Sequence, residues 1–131
     1  MLYRIEAEPV PKGRPKTIMR GGKVWTFTPK HTKEAEAIIR TLVIQQAIDG
    51  FPEHTPLHMT VTFYRTKPEY APKGELIPVR KPDLDNYIKT ILDALNGIAF
   101  PDDAQISTIE ARKRWSENGG YIELELTEDK L

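Results

Sequence analysis

Two acidic pairs and a lysine in the second half of the chain have the residue types and spacing of a hydrolytic site. Asp83, Asp85 and Lys89 lie in KPDLDNYIK, and Asp102 and Asp103 follow in FPDDAQ. Carboxylates that share one site cannot all stay ionised without a cation. Hard oxygen ligands without His or Cys nearby favour Mg²⁺, with Mn²⁺ as a substitute. If the two pairs meet in the fold, they predict a magnesium site.

The first acidic pair begins a predicted helix from Leu84 to Leu95. Asp85, Lys89 and Asp93 follow one another at intervals of four, so they share one face of this helix. The opposite face is predicted to pack on a sheet through apolar residues at helical spacing, which are Leu84, Ile88, Ile91, Leu92 and Leu95. The helix therefore separates a core face from a polar face.

A purely structural interpretation of the same helix is also open. Asp83 occupies the N-cap position and Asn96-Gly97 the C-cap position, and the polar face can form a ladder of surface ion pairs worth tenths of a kcal/mol each. The second acidic pair, Asp102-Asp103, favours the metal site over this alternative. The helix is roughly 18 Å long, so the two pairs meet only if the chain folds back along the sheet.

Other common catalytic and ligand-binding motifs are absent from the sequence. There is no Cys, and no G-x-x-x-x-G-K-[ST] or G-x-G-x-x-G loop, so no nucleotide cofactor is predicted. An EF-hand counted from Asp83 would put Ile88 where Gly is required and Ala94 where Glu is required. Calcium binding of that type is excluded.

A basic segment lies near the N-terminus. Lys+Arg and Asp+Glu balance at 19 each, yet no acidic residue occurs between Glu8 and Glu34. The candidate contacts to DNA phosphates in this segment are Lys12, Arg14, Lys16, Arg20, Lys23 and Lys30. The alternative is a solvated, mobile segment without a partner. Trp25 and Phe27 are predicted to anchor the segment to the core, with stacking on exposed bases as the alternative.

The elements that must position these residues predict an α+β fold. A length of 131 residues predicts one domain, residues 1–131, with two helices packed on one mixed or antiparallel sheet and a long basic N-terminal loop. The predicted elements are a strand over 1–8, a loop over 9–29 with a short hairpin around Gly21-Gly22, a helix from Thr32 to Ile48, a strand from Leu57 to Arg65, a loop over 67–82, the helix from Leu84 to Leu95, and strands over 105–115 and 121–127.

Two details of this prediction depend on local signals. Thr32 is predicted to cap the first helix, whose apolar stripe consists of Ala35, Ile38, Ile39, Leu42 and Ile44. The last two strands are predicted to form a closing antiparallel pair, because Asn118-Gly119 supplies a hairpin turn between them.

Composition and hydropathy argue against membrane association. Hydrophobic residues make up 39% of the chain and charged residues 29%, as in globular proteins, and no apolar run approaches the roughly 20 residues that span a bilayer. The N-terminal MLYRIEAEPV lacks the apolar region of a signal peptide. These features predict a cytoplasmic protein.

The run KPDLDNYIKTILDALNGIAFPDDAQI resembles the RusA family of Holliday junction resolvases, including the versions carried by prophages. PVPKGRPK followed by FTPKHTKEAE resembles the family's N-terminal region, so the similarity covers most of the chain. By this resemblance Asp83, Asp85 and Asp103 match the family's catalytic metal-binding aspartates, with Asp102 as the adjacent alternative to Asp103, and Lys89 matches its catalytic lysine.

The resemblance implies a bacterial or phage-encoded enzyme of DNA recombination and repair. Such an enzyme acts as a homodimer that cuts four-way DNA junctions with Mg²⁺ by paired symmetrical incisions. Two alternatives stay open at the level of sequence. One is a metal-dependent nuclease acting on other branched DNA or on RNA, and the other is a non-catalytic DNA-binding protein.

Overall fold

Six strands and two helices make up the computed structural model, which describes residues 2–46 and 50–131. The strands are β1 (Leu2–Ile5), β2 (Lys16–Arg20), β3 (Lys23–Phe27), β4 (Leu57–Thr66), β5 (Ile106–Ser116) and β6 (Tyr121–Glu128). The helices are α1 (Lys30–Gln45) and α2 (Leu84–Leu95), and a short 3-10 turn, Asp103–Gln105, precedes β5. The predicted α+β class is confirmed, and the predicted bounds of α2 match those observed.

Strand β4 is the centre of a mixed four-stranded sheet with the order β1-β6-β4-β5. Its alternate residues Leu57, Met59, Val61 and Phe63 are almost fully buried, so one face of this strand packs on the core. It pairs in parallel with β5 and antiparallel with β6. Helix α2 makes the crossover that parallel neighbours require.

The predicted closing antiparallel pair is wrong, because β4 lies between β5 and β6. The Asn118-Gly119 turn is real, since Gly119 has a φ of 93° and its carbonyl accepts a hydrogen bond from Ser116 Oγ at 2.6 Å. The connection nevertheless passes over the end of β4, where the Lys67 N–H donates to the Ser116 carbonyl at 3.1 Å. Strand β4 occupies the position between β5 and β6, so the turn joins strands that are not neighbours.

Helix α1 begins two residues earlier than predicted, at Lys30. The predicted N-cap at Thr32 is wrong. Thr32 is fully buried inside the first turn, and its hydroxyl accepts a hydrogen bond from the Gly13 N–H at 3.1 Å. Thr32 therefore fastens the preceding loop to the helix. The predicted helix end at Ile48 lies outside the described residues.

The apolar stripe predicted for α1 is confirmed only in part. Ile39 and Val43 are buried in the core, but Ile38 and Ile44 are more than half exposed. The buried face of α1 also includes Glu36, whose carboxylate is held by cations. Apolar periodicity does not reveal such ionic contacts, so the buried face of α1 differs from the predicted stripe.

The two helices share one core with the strands. Ile91 and Leu95 of α2 are fully buried there, while Leu84, Ile88 and Leu92 pack against the core with partial exposure. Tyr87 stacks on Phe63 of β4 with ring centroids 5.2 Å apart. This packing fixes the position of α2, and hence of the acidic residues at its two ends.

The predicted hairpin around Gly21-Gly22 is confirmed as the β2–β3 pair, and both glycines have the positive φ that its turn requires. The predicted anchoring of Trp25 and Phe27 in the core is wrong, because they are 56% and 39% exposed. Within residues 2–46 and 50–131, no helix is long and apolar enough to cross a membrane.

Candidate active site

Asp83 lies directly before the first turn of α2, at the predicted N-cap position. Its carboxylate does not cap the helix but accepts a hydrogen bond from Lys81 Nζ at 2.8 Å. This hydrogen bond and, at longer range, the Lys113 ammonium lower the pKa of Asp83. Asp83 is therefore an ionised, exposed oxygen donor at neutral pH.

Asp85 and Lys89 lie one turn apart on the exposed face of α2. Among the residues that the structure describes, neither side chain makes an ion pair or a hydrogen bond, and Asp93 pairs with Lys12 instead. The predicted structural alternative, a ladder of ion pairs along this face, is not formed. Both side chains are available to a ligand.

Lys113 of β5 holds the chain that leads into Asp83. Its ammonium donates to the carbonyls of Arg80 and Pro82, each at 3.1 Å. Sequence reasoning missed Lys113 as a supporting residue, because a lysine in a strand gives no indication of the loop that packs against it. Lys113 therefore fixes the N-terminal end of α2 to the sheet.

The second acidic pair lies at the opposite end of α2. The Asp103 N–H donates to Asn96 Oδ1 at 3.1 Å, which ties the pair to the C-cap of the helix. Asp102 Oδ1 accepts a hydrogen bond from the Ala104 N–H at 3.0 Å, so this carboxylate is engaged in capping the 3-10 turn. Sequence reasoning identified Asn96 as a C-cap but missed the bond from its side chain to Asp103.

Asp103 is the carboxyl group with the most crowded environment of the four. Burial raises its pKa, and a hydrogen bond with Asp102 and the negative charges of Asp102 and Asp93 raise it further. A cation bound beside Asp103 would relieve this repulsion. The crowding supports a cation ligand role for Asp103 more than for Asp102.

One helix separates the two acidic pairs within a chain. Asp83 precedes α2, Asp103 is bonded to the residue that ends it, and a helix of 12 residues is about 18 Å long. In the described part of the chain, no three His, Cys, Asp or Glu side chains are gathered to hold a metal ion. The chain does not fold back far enough to bring the pairs together.

Lys12, predicted as a DNA contact, is engaged inside the protein. Its ammonium lies 2.7 Å from Glu36 and 2.9 Å from Asp93, and its backbone N–H donates to the Asn86 carbonyl at 2.8 Å. Burial lowers the pKa of Lys12, but the hydrogen bonds that its ammonium donates to the two carboxylates outweigh this effect and raise the pKa. Lys12 therefore ties the basic segment to both helices.

The chain is similar to known proteins over nearly its whole length. The family model described as endodeoxyribonuclease RusA matches residues 6–127. This chain belongs to the RusA family. It is also 33% identical over 124 residues to the uncharacterized protein YqaN of Bacillus subtilis strain 168, covering 88% of this chain and 87% of that protein. RusA-family proteins are nucleases that hydrolyse phosphodiester bonds and resolve Holliday junctions.

In this RusA-family chain, the remaining basic candidates lie on or near the β2–β3 hairpin. Lys16, Arg20 and Lys23 are exposed on its strands, and Arg14 is exposed in the loop before it. Lys30 is exposed at the start of α1, with Glu34 at 3.8 Å. These cations are therefore exposed, whereas Lys12 is engaged inside the protein.

The carboxylates of this RusA-family chain fit a hard divalent cation by donor type, because they are oxygen ligands with exposed or crowded charge. Asp83 and Asp85 supply donors at one end of α2, and Asp103 at the other. Mg²⁺ is commonly bound through one or two carboxylates, with waters and substrate phosphate completing its coordination. Asp83 and Asp85 therefore suit such an ion at one end of α2, while Asp103 lies at the other end.

Proposed function

We propose that this protein is a Mg²⁺-dependent endonuclease that resolves four-way DNA junctions as a homodimer, by paired symmetrical incisions. The observation that carries the proposal is the separation of Asp83, Asp85 and Lys89 from Asp103 by the length of α2, in a chain of the RusA family. Such a separation divides the three proposed ligand aspartates of each chain between the two ends of the helix.

A two-fold arrangement of two chains resolves this separation. If the N-terminal end of one α2 meets the C-terminal end of the other, Asp83 and Asp85 of one protomer lie beside the partner's Asp103. An isologous interface makes this contact twice, because residue i meets j and j meets i. Two equal sites related by a two-fold axis are what a junction with two-fold symmetry requires for paired incisions.

Exposed apolar residues precede the N-terminal end of α2, and they could be buried in such an interface. Leu76, Ile77 and Val79 are exposed in the loop that leads into Asp83. Burying a large apolar side chain contributes about 1.5–3 kcal/mol. Three exposed apolar residues within one short stretch therefore favour a protein contact close to the N-terminal end of α2.

The proposed roles follow from charge and exposure. Mg²⁺, when bound, supplies a water nucleophile and neutralises charge developing on the phosphate. Asp83, Asp85 and the partner's Asp103 would hold it. Lys89, one turn from Asp85 and without an ion pair in the described residues, is available to orient the attacking water or to stabilise the charged transition state. Mn²⁺ offers the same ligand preference and is expected to substitute.

The basic residues hold the substrate in this proposal. Lys16, Arg20 and Lys23 on the hairpin, with Arg14 and Lys30 beside it, bind backbone phosphates. Lys12 contributes by holding this segment against the two helices rather than by direct contact with DNA.

Gel analysis of a synthetic four-way junction beside a linear duplex of the same sequence tests the proposal. We expect the wild-type protein to nick the junction symmetrically with Mg²⁺ and to leave it intact in EDTA, with little cleavage of the duplex. Cleavage of flaps, forks or RNA in preference to the junction would favour the other nuclease function. Junction binding without metal-dependent nicking would favour a non-catalytic DNA-binding protein.

A further inference from the structure

The β2–β3 hairpin projects from the fold as an exposed two-stranded ribbon. Every residue of both strands is exposed, and none belongs to the core cluster of the described residues or to the side chains packed against it. Its five large apolar residues are exposed, and they are Ile18, Met19, Val24, Trp25 and Phe27. Because these apolar side chains do not pack on the core, core stability does not explain them, and contact with a ligand would.

The strand register divides the ribbon into two chemically different faces. Cross-strand partners point to the same face, and the pairs Lys16↔Phe27, Ile18↔Trp25 and Arg20↔Lys23 alternate with Thr17↔Thr26 and Met19↔Val24. One face, called the basic-aromatic face below, therefore consists of Lys16, Ile18, Arg20, Lys23, Trp25 and Phe27. The other face has no charge. Ile18, Arg20, Lys23 and Trp25 also line a shallow cleft on the basic-aromatic face.

We propose that the basic-aromatic face binds unpaired bases at the branch point of the DNA junction, with Trp25 stacking on a base. The inference rests on the proposed function, which supplies branched DNA as the substrate. Trp25 presents an exposed ring with Ile18 directly opposite, and Arg20 and Lys23 lie at the tip of the same face. An aromatic ring bordered by cations is the arrangement that stacks a base and neutralises its neighbouring phosphates.

Two features favour unpaired bases over the backbone of an intact duplex. Contacts to phosphates use cations and polar groups, so they do not explain why Trp25 and Ile18 are exposed on this face. Stacking and wedge insertion use apolar side chains, and they cost least where bases are already unstacked. The branch point of a junction offers such bases, whereas the arms do not.

Charge also argues against a second copy of this chain as the occupant of this face. The basic-aromatic face carries three cations, and no acidic residue occurs between Glu8 and Glu34. Packing two such faces together would bring six positive charges into one interface without a counter-charge. A polyanion with exposed bases is the partner whose charge complements this face.

The experiment measures metal-free binding in EDTA, so that it does not depend on cleavage. Wild type, Trp25→Ala, Trp25→Phe and Met19→Ala are titrated against a four-way junction and a fully paired duplex. Met19→Ala is the matched control, because Met19 is an apolar residue on the uncharged face of the same ribbon and is even more exposed than Trp25. All variants are first compared with wild type by circular dichroism.

We expect Trp25→Ala to weaken junction binding by roughly 5- to 150-fold, which corresponds to the usual strength of base-aromatic stacking, and to change duplex binding little. Trp25→Phe should recover much of the loss, and Met19→Ala should bind like wild type. In a Trp115→Phe background, Trp25 is the only tryptophan, and junction but not duplex should quench its fluorescence.

The inference is overturned if Trp25→Ala binds the junction as tightly as wild type, or if Trp25→Ala and Met19→Ala weaken it equally. It is also overturned if duplex and junction are weakened alike, or if Trp25→Ala converts a sedimenting dimer into a monomer. Failure of the proposed function is seen separately, as an absence of junction nicking by the wild-type protein in Mg²⁺. In that case, a Trp25-dependent preference for the junction would still support the inference.

Discussion

Lys12 Nζ lies 2.9 Å from the Asp93 carboxylate, and this ion pair ties the N-terminal basic segment to the last turn of α2. The same ammonium lies 2.7 Å from Glu36, whose side chain is only 9% exposed. Asp93 in turn is one of the negative charges that raise the pKa of Asp103. Lys12 therefore joins the basic segment to the acidic pair at the C-terminal end of α2, and it partly neutralises the charge there.

Lys12 and Lys23 are expected to have different roles, although both belong to the same basic segment. Lys12 should stabilise the fold, and Lys23 should bind DNA. Lys12→Met should lower the free energy of unfolding by about 1–3 kcal/mol, because among the described residues it leaves the nearly buried Glu36 carboxylate with Arg40 alone as an ionic partner. Urea unfolding measures this loss. Equal stability of the Lys12→Met variant and wild type would contradict the structural role of Lys12.

Lys23→Met is the matched control for that variant. Lys23 is exposed on the hairpin, so its replacement should change stability by less than about 0.5 kcal/mol. It should weaken DNA binding and reduce the slope of log K against log salt by about one phosphate contact. A stability loss as large as that of Lys12→Met would remove the distinction between the two lysines.

Local signals in the sequence were sufficient where the structure depends on neighbouring residues. The bounds of α2 follow from Asp83 before it, Asn96-Gly97 after it and the apolar spacing between them. The hairpin turn at Gly21-Gly22 is equally local, because a positive φ is a property of the residue itself.

The predictions that were wrong or incomplete concern contacts between residues that are distant in the sequence. Asn118-Gly119 indicated a turn correctly, but insertion of β4 between the joined strands depends on packing across the whole sheet. Lys12 was recognisable as a cation, yet its carboxylate partners lie 24 and 81 residues away. The length of α2 was predictable from sequence, whereas the path of the chain to Asp103 was not.

Asp85→Asn separates the catalytic interpretation of α2 from the structural one. Asp85 lies in the first turn of the helix, so losing its charge should cost under about 1 kcal/mol of stability. If Asp85 is the proposed metal ligand, junction nicking in Mg²⁺ should fall by orders of magnitude. Binding in EDTA should persist or tighten, because one negative charge facing the phosphates is gone. Near-normal cleavage by a folded Asp85→Asn protein would rule out the proposed site.

Lys89→Ala complements that variant because it changes the charge in the opposite direction. It too should abolish cleavage, but metal-free junction binding should stay level or weaken slightly. Measuring binding in EDTA and nicking in Mg²⁺ for both variants distinguishes a ligand from a cation that acts on the phosphate. Tighter metal-free binding by Lys89→Ala would contradict its assigned position near the DNA.

The pH dependence of stability should have opposite signs at the two ends of α2. Asp103 has a raised pKa, so the folded state holds its proton more tightly than the unfolded state, and the free energy of unfolding falls as pH rises from the usual carboxyl range through the raised pKa. Asp83 has a lowered pKa, so its contribution is present above the usual carboxyl range and is lost as pH falls through the lowered pKa.

Thermal unfolding of Asp103→Asn and Asp83→Asn between acidic and neutral pH measures these contributions. In EDTA at neutral pH, Asp103→Asn should raise Tm relative to wild type and Asp83→Asn should lower it slightly. Both differences should shrink in acid, where the carboxyl groups are protonated in the folded and unfolded states. A lowered Tm for Asp103→Asn at neutral pH would show that its neighbourhood is not repulsive.

Mixing two inactive variants tests whether each active site is shared between two chains. Asp85→Asn and Asp103→Asn should each be inactive alone. A dimer containing one of each keeps one intact site, made from the wild-type Asp85 of one protomer and the wild-type Asp103 of the other, while its second site carries both changes. Co-expressed with different tags and purified through both, this heterodimer should nick the junction in a single strand and leave it unresolved.

The matched control for this experiment combines Asp83→Asn with Asp85→Asn, which alter the same end of α2. Every site in that heterodimer contains one altered ligand, so it should stay inactive. If each chain carried a complete site of its own, both heterodimers would be equally inactive, because every protomer would lack one ligand. Activity restricted to the Asp85→Asn and Asp103→Asn pair therefore requires that α2 helices of two chains meet end to opposite end, and a heterodimer of that pair without nicking activity would contradict the shared site.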